Sequence, residues 1–242
     1  MSDDFKGRIA LVTGASRGIG CAVAKALAAK GAHVIASARP RSQGALEELD
    51  DHITNAGGKC TILPLQLTDG EGIDRLGPAI YERFGRLDIL VANAGILGPV
   101  TPLGHIETKD WNELINTNIT ANWRLIRTLD PILKLSKAGR AIFVTSGAVG
   151  KNRAYLGGYT MSKAAVEAIA LTYAAECEIT SVKVNVLDPG PVRTTMRAKL
   201  YPGEDASTLT IPEEVAALFI ELASADCERS GEVIKYADWV KK

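Results

Sequence analysis

The sequence predicts an α/β fold: a doubly wound parallel sheet of about seven strands with helices on both faces. Three observations predict it. Short β-branched runs alternate with longer helical patterns, the first run leads through a glycine-rich turn into an alanine-rich helix, and 242 residues suffice for one undivided core of this kind. The expectation is therefore one domain over residues 1–242.

The elements follow in order. Arg8 to Thr13 is a strand and 18 to 30 a helix; His33 to Ala38 is a strand and 43 to 55 a helix; Cys60 to Leu65 is a strand and 70 to 84 a helix. The rhythm continues with a strand at Leu87 to Ala92, a long helix around 109 to 135, a strand at Arg140 to Ser146, a helix around 157 to 178 and a strand at Val182 to Leu187. Such strands are buried on both faces, which is why they read as continuous apolar runs and not as alternating ones. After Asp188-Pro-Gly-Pro191 the pattern lapses until about 212, leaving a stretch with Pro202 and Gly203 that suits either a substrate lid or a surface loop. Thr210-Ile-Pro-Glu213 then reads as a capping box with proline in the first turn, and Gly231 to Tyr236 as a last strand.

Composition excludes several function classes. Lys+Arg and Asp+Glu balance at 28 each, and no block of like charge interrupts the chain, so nucleic acid and anionic membranes have no electrostatic footprint. The start, Met1-Ser-Asp-Asp-Phe-Lys-Gly-Arg8, is polar where a signal peptide would be apolar, and charges at Lys163, Glu167 and Glu176 break the long apolar stretches. A soluble, cytoplasmic protein is expected. Cys21, Cys60, Cys177 and Cys227 are scattered without a CxxC pair, and His33, His52 and His105 have no metal-ligand spacing, so free thiols and no metal are expected.

Gly14, Gly18 and Gly20 stand between the first strand and an alanine-rich helix, where glycines permit a tight turn and let backbone amides approach a phosphate. With Ser16, Arg17 and Ile19 they form the expected cradle of a Rossmann-like dinucleotide site. At the end of the second strand an acid would bind a ribose 2′-hydroxyl, whereas an arginine accommodates a 2′-phosphate. The residue is Arg39, and Arg17 in the glycine turn brings a second guanidinium, which favours NADP(H).

Tyr159-Thr-Met-Ser-Lys163 places a phenol and an ammonium four residues apart on one helix face, following the serine-bearing segment Ile142-Phe-Val-Thr-Ser146. The glycine spacing, Asn93-Ala-Gly95 after Gly85-Arg-Leu-Asp-Ile-Leu-Val-Ala92, Asn118, Tyr159-xxx-Lys163 and Asp188-Pro-Gly-Pro-Val-Arg-Thr194 occur in the order of the short-chain dehydrogenase/reductase family, which the chain resembles over nearly its whole length. The resemblance implies that Tyr159 exchanges a proton with the substrate oxygen while hydride passes between cofactor and substrate carbon. It further implies that Ser146 binds that oxygen, that Lys163 favours the phenolate and holds the nicotinamide ribose, and that Asn118 holds a water linking Lys163 to solvent. Asn93, Ala94 and Gly95 would border the adenosine ribose and Gln66 and Leu67 the adenine. Val192 and Thr194 would meet the carboxamide, with Pro189 and Gly190 completing the set. A free phenol titrates at about 10, so work near neutrality needs a drop of roughly 3 units.

Departures from the family pattern leave alternatives open. Ala92 replaces the first asparagine of Asn-Asn-Ala-Gly, and Gln66 stands where Asp or Asn is usual. Gly150 lies one position further from Ser146 than is common, so Gly147 competes for the serine's place in the alignment, and Asn116 competes with Asn118. Tyr236-Ala-Asp-Trp239 replaces the usual Gly-Gly ending. The expected activity is interconversion of a carbonyl and an alcohol, by a homodimer or homotetramer paired through the helices around 109 to 135 and 157 to 178. A non-catalytic dinucleotide sensor or scaffold, and a lyase or epimerase using the cofactor transiently, are the competing classes. Pro99, Tyr155, Leu156, Met196 and Leu200 are candidates for an apolar substrate pocket, whose ligand the sequence does not name.

Overall fold

A computed structural model describes residues 5–241; Met1 to Asp4, half of the polar stretch weighed above against a signal peptide, lie outside the described residues. The strands are β1 (Ile9–Thr13), β2 (His33–Ala38), β3 (Lys59–Pro64), β4 (Ile89–Ala92), β5 (Arg140–Val144), β6 (Lys183–Asp188) and β7 (Val233–Lys235). They form one sheet in the order β3-β2-β1-β4-β5-β6-β7, and every pairing is parallel. Chain order reverses between β1 and β4, and in such sheets the crevice at the carboxyl ends beside the reversal is where ligands bind.

Burial on both faces explains the apolar strands: all residues of β1, β4 and β5 are buried. One core packs the sheet against α1 (Gly18–Ala29), α2 (Gln43–Asn55) and, from the far end of the chain, α9 (Pro212–Ala223), through residues such as Val23, Leu27, Leu46 and Phe219. The opposite core uses α3 (Gly70–Asp74), α4 (Leu76–Phe84), α6 (Ala121–Leu133) and α7 (Gly157–Glu176), through Ile73, Ile80, Leu125 and Val166.

The amino ends of the strands hold a buried charge network. Arg8 donates to the carbonyls of Ala223 (2.6 Å) and Ala138 (2.7 Å), and Arg140 to those of Gly139 (2.8 Å), Ser224 (2.9 Å) and Ala225 (2.7 Å). Asp88 accepts from the Ile9 amide (2.8 Å), Arg86 Nε (2.9 Å) and Ser136 Oγ (2.5 Å). Burial lowers the Arg8 guanidinium to about 10, against the pull of Asp88.

Five local expectations need correction. The helix expected at 70 to 84 divides at Arg75 into α3 and α4, where Thr128 from α6 takes the Gly77 amide on its Oγ1 (3.1 Å). The helix expected at 109 to 135 is α5 (Thr108–Leu114), a π-helical segment over Ile115–Thr120, and α6. Thr210 does not cap α9: Ile211 occupies the cap without a side-chain bond, and Thr210 instead bridges Val192 through its backbone. The patternless stretch after β6 contains α8 (Thr195–Leu200), capped by Thr194 Oγ1 on the Arg197 amide (3.2 Å). The last strand is shorter than expected and gives way to α10 (Tyr236–Trp239). No helix among the described residues is long and apolar enough to cross a membrane.

Candidate active site

The glycine turn is shaped by close approach. Gly14 has φ +69°, and a Cβ on Gly20 would stand 2.3 Å from the Gly14 carbonyl oxygen and 2.6 Å from Asn93 Nδ2, so neither position tolerates a side chain. The loop after β4 braces this turn. Thr13 Oγ1 accepts from the Asn93 (3.1 Å) and Ala94 (3.0 Å) amides, while Asn93 Nδ2 donates to the Thr13 carbonyl (3.0 Å). Arg17, extended at φ −167°, caps α1 without a side-chain bond, which leaves the first amides of the helix without a side-chain acceptor. Arg39, half-buried, follows the end of β2. Burial first, then Arg41 and Arg17, depress its pKa, so three guanidinium groups cluster here, with Glu113 the one opposing charge. No described carboxylate forms an ion pair with Arg17, Arg39 or Arg41.

The second half of the site lies on β5, α7 and the π-helical segment. Tyr159 on α7 and Ser146, just beyond β5, line the same cleft, and Ser146 Oγ accepts from the Ala148 amide (3.2 Å). Lys163 Nζ stands 5.9 Å from the Tyr159 ring centre and donates to the Val144 carbonyl (2.8 Å). Its burial lowers the ammonium to about 8. Burial is also the largest influence on Tyr159 and pushes the phenol up; Ser146 pulls it down and Asp188 pushes it up. The protein alone therefore does not supply the lowering expected from Lys163.

Asn118 is fully buried, with Oδ1 accepting from the Ile96 amide (2.9 Å) and Nδ2 donating to the Ile96 carbonyl (2.9 Å) and Ser162 Oγ (2.9 Å). Ser162 Oγ in turn donates to the Tyr159 carbonyl (2.8 Å), so Asn118 ties the loop after β4 to the first turns of α7. The π-helical register brings it there, a common use of such segments near functional sites.

A family model for short chain dehydrogenases matches residues 8–205. The chain belongs to the short-chain dehydrogenase/reductase family. Among its relatives, the uncharacterized oxidoreductase YciK of Escherichia coli (strain K12) is 34% identical over 94% of this chain and 90% of its own. The 3-oxoacyl-[acyl-carrier-protein] reductase FabG of Vibrio harveyi is 34% identical over 92% of each chain. A solved short chain dehydrogenase structure from Shigella flexneri 2a, complexed with NADP, superposes with a TM-score of 0.91 at 32% identity, covering 97% of this chain and 99% of its own. The chain is an oxidoreductase of this family.

One cleft of this short-chain dehydrogenase, at the carboxyl ends of the strands, is lined by most of the residues expected from sequence: Gly14, Ser16, Arg17, Gly18 and Ile19 at the turn, and Arg39, Gln66 and Leu67 beyond β2 and β3. Asn93, Ala94 and Gly95 line it as well, together with Ser146, Tyr159, Lys163, Pro189, Gly190, Val192 and Thr194. Two expected residues do not line it. Gly20 is buried behind the turn, and Asn118 is buried one layer behind Gly95, where its Oδ1 and Lys163 Nζ stand 3.2 and 3.4 Å from the place of a Cβ. Asn116, the alternative to Asn118, is exposed. Of the pocket candidates, Met196 and Leu200 line the cleft, whereas Pro99, Tyr155 and Leu156 do not; Tyr155 turns out to solvent at φ +68°.

Sequence reasoning missed Ser37 and Ser42 beside Arg39, Leu97 beyond Gly95, and Arg197 on α8, all of which line the cleft. Ser37 and Ser42 flank the end of β2, and that position was the available signal for them. It also passed over Thr13, whose hydroxyl and carbonyl together receive three hydrogen bonds from the loop after β4. The four cysteines are free, and no cluster of metal-ligating side chains occurs among the described residues.

Proposed function

We propose that this chain is an NADP(H)-dependent oxidoreductase that interconverts a carbonyl and an alcohol, with reduction the favoured use. The observation that carries the reading is that Tyr159, Ser146 and buried Lys163 line the same cleft as the Arg17–Arg39 cluster. The donor set fits a phosphorylated dinucleotide: uncapped helix amides meet a pyrophosphate, and unpaired guanidinium groups meet a 2′-phosphate. Bound there, NADP(H) supplies the hydride and, when oxidised, a positive charge that favours phenolate.

The chain's residues do the remaining work. Ser146 donates a hydrogen bond to the substrate oxygen and Tyr159 gives it a proton, as positioned hydroxyls do in general acid catalysis. Lys163, with only one acceptor in the protein, has donors left for a ribose hydroxyl. Asn118 holds the Ile96 loop and the turn carrying Ser162 and Tyr159 in register. Residues 1–242 act as one domain. A relative named for reducing a 3-oxoacyl group supports reduction of a carbonyl.

The test is consumption of NADPH and of NADH against a panel of carbonyl compounds. NADPH-linked turnover on at least one carbonyl supports the reading; dinucleotide binding with no turnover on any carbonyl favours a sensor or scaffold. The chain also self-associates through α5, α6 and α7, where Trp111 and Trp123 stand 36% and 46% exposed. Light scattering at micromolar concentration gives a dimer or tetramer mass; a monomer mass removes that part.

A further inference from the structure

We propose that Glu204 sets substrate specificity by engaging Arg197, the cation at the substrate end of the cleft, so that the site takes uncharged, apolar carbonyl compounds and turns away carboxylates. The proposal rests on the carbonyl chemistry proposed above. Four cations line the cleft: Arg17, Arg39, Lys163 and Arg197. The first two stand at the glycine turn and just past β2, and Lys163 lies beside the Tyr159 ring. Arg197 is on α8 with Met196 and Leu200, which line the same cleft. Its guanidinium stacks on Tyr201, 4.0 Å from the ring centre. The Tyr201 hydroxyl in turn accepts from Arg153, which belongs to the loop that joins Ser146 to Tyr159. That bond ties α8 to the loop between the two reacting hydroxyls, and it places Arg197 on their side of the cleft and away from the dinucleotide phosphates.

Arg197 already has its anion. Nε and Nη2 donate to the two carboxylate oxygens of Glu204, each at 2.5 Å, the two-pronged geometry in which a guanidinium binds a carboxylate best. The local backbone keeps the pair together. The Tyr201 amide donates to the Arg197 carbonyl (2.9 Å) and the Glu204 amide to the Tyr201 carbonyl (3.1 Å), which folds Glu204 back onto α8. A substrate carboxylate must therefore displace an anion tethered seven residues away, at an effective concentration that a dissolved ligand rarely matches. Arg153 offers no substitute, since it does not line the cleft. What remains at this end is apolar: Leu97, Met196 and Leu200. An anion brought there loses hydration without gaining a free partner, whereas an alkyl or aryl group gains by leaving water.

Two measurements test this in the wild type and in Glu204→Gln, whose amide oxygen keeps one acceptor for Arg197 while the competing charge is gone. The first is NADPH-linked kcat/KM on para-formylbenzoate and on its methyl ester; the second is calorimetric binding of the unreactive para-methylbenzoate to the NADPH-bound protein. The wild type favours the ester by roughly tenfold or more, through KM. Glu204→Gln narrows that ratio by roughly tenfold and tightens para-methylbenzoate by a similar factor, with NADPH affinity unchanged. Glu204→Ala gives the same direction and serves if the glutamine variant does not fold. Adding Arg197→Met to Glu204→Gln restores the wild-type ratio and the weak carboxylate binding, because the freed cation is gone. A wild type that reduces the acid as readily as the ester overturns the proposal, as do folded Glu204 variants that bind para-methylbenzoate no better than wild type and a gain that survives Arg197→Met. Tighter NADPH in place of tighter carboxylate also overturns it, since Arg197 would then serve the cofactor phosphates. Turnover on no carbonyl at all would instead remove the reaction proposed above, and the carboxylate binding still decides the role of Glu204.

Discussion

The two ends of this sheet both bury positive charge, and they use it in opposite ways. At the amino ends, Arg8 and Arg140 spend their donors on carbonyls of α9 and of neighbouring turns, and Asp88 receives three donors of its own. At the carboxyl ends, Lys163 has one carbonyl acceptor, and Arg17 and Arg39 have no ion-pair partner among the described residues. Desolvation lowers the pKa of Arg8 and of Lys163 alike, so burial by itself does not separate a structural cation from a working one. The separation lies in saturation. A cation that spends most of its donors on carbonyls holds the fold; one with most of its donors left over awaits a ligand.

The largest expected effect that would break this comparison comes from Lys163→Met. Turnover should fall by roughly 10² to 10⁴-fold, and NADPH affinity should fall with it, because one side chain serves both the phenol and the ribose. Fluorescence titration of NADPH beside steady-state kinetics checks both; a variant that lost turnover but kept full affinity would show that the spare donors are not used on cofactor. Next comes the opposite end. Arg140→Met strips donors from the Gly139, Ser224 and Ala225 carbonyls and should cost about 3 kcal/mol of stability in urea unfolding. NADPH affinity should be unchanged, and a stability loss near zero would mean that this network is solvated. Arg39→Asp sharpens the contrast at smaller scale. It should leave stability near the wild type, weaken NADPH by roughly 10- to 100-fold, and invert the preference toward NADH. Equal binding of NADH and NADPH by the unmodified protein would contradict the phosphate assignment.

Strands were legible from sequence because burial on both faces forces apolar, β-branched runs whatever the neighbours are. Helix interruptions were not. The π-helical segment over Ile115–Thr120 and the break at Arg75 answer to partners distant in sequence, Ile96 and Ser162 in one case and Thr128 in the other, and periodicity carries no such information. The missed helix α8 had a local sign, since Thr194 caps it; its reading as a cofactor contact hid that role. In the site, the placement of Tyr159, Lys163 and the glycine turn was visible because their spacing sets one helix face and one tight turn. The directions of the pKa shifts were not, because they depend on burial and on Asp188, which belongs to another strand.

The central claim is that Tyr159 gives the proton and does little else, and Tyr159→Phe measured for both turnover and NADPH affinity tests it most directly. The substitution removes one hydroxyl and leaves the ring, Lys163 and the arginine cluster in place. The account predicts a loss of kcat toward the upper end of roughly 10² to 10⁴-fold with NADPH affinity nearly intact. A Tyr159→Phe protein that kept most of its kcat on a verified substrate would contradict it and make the tyrosine a structural residue.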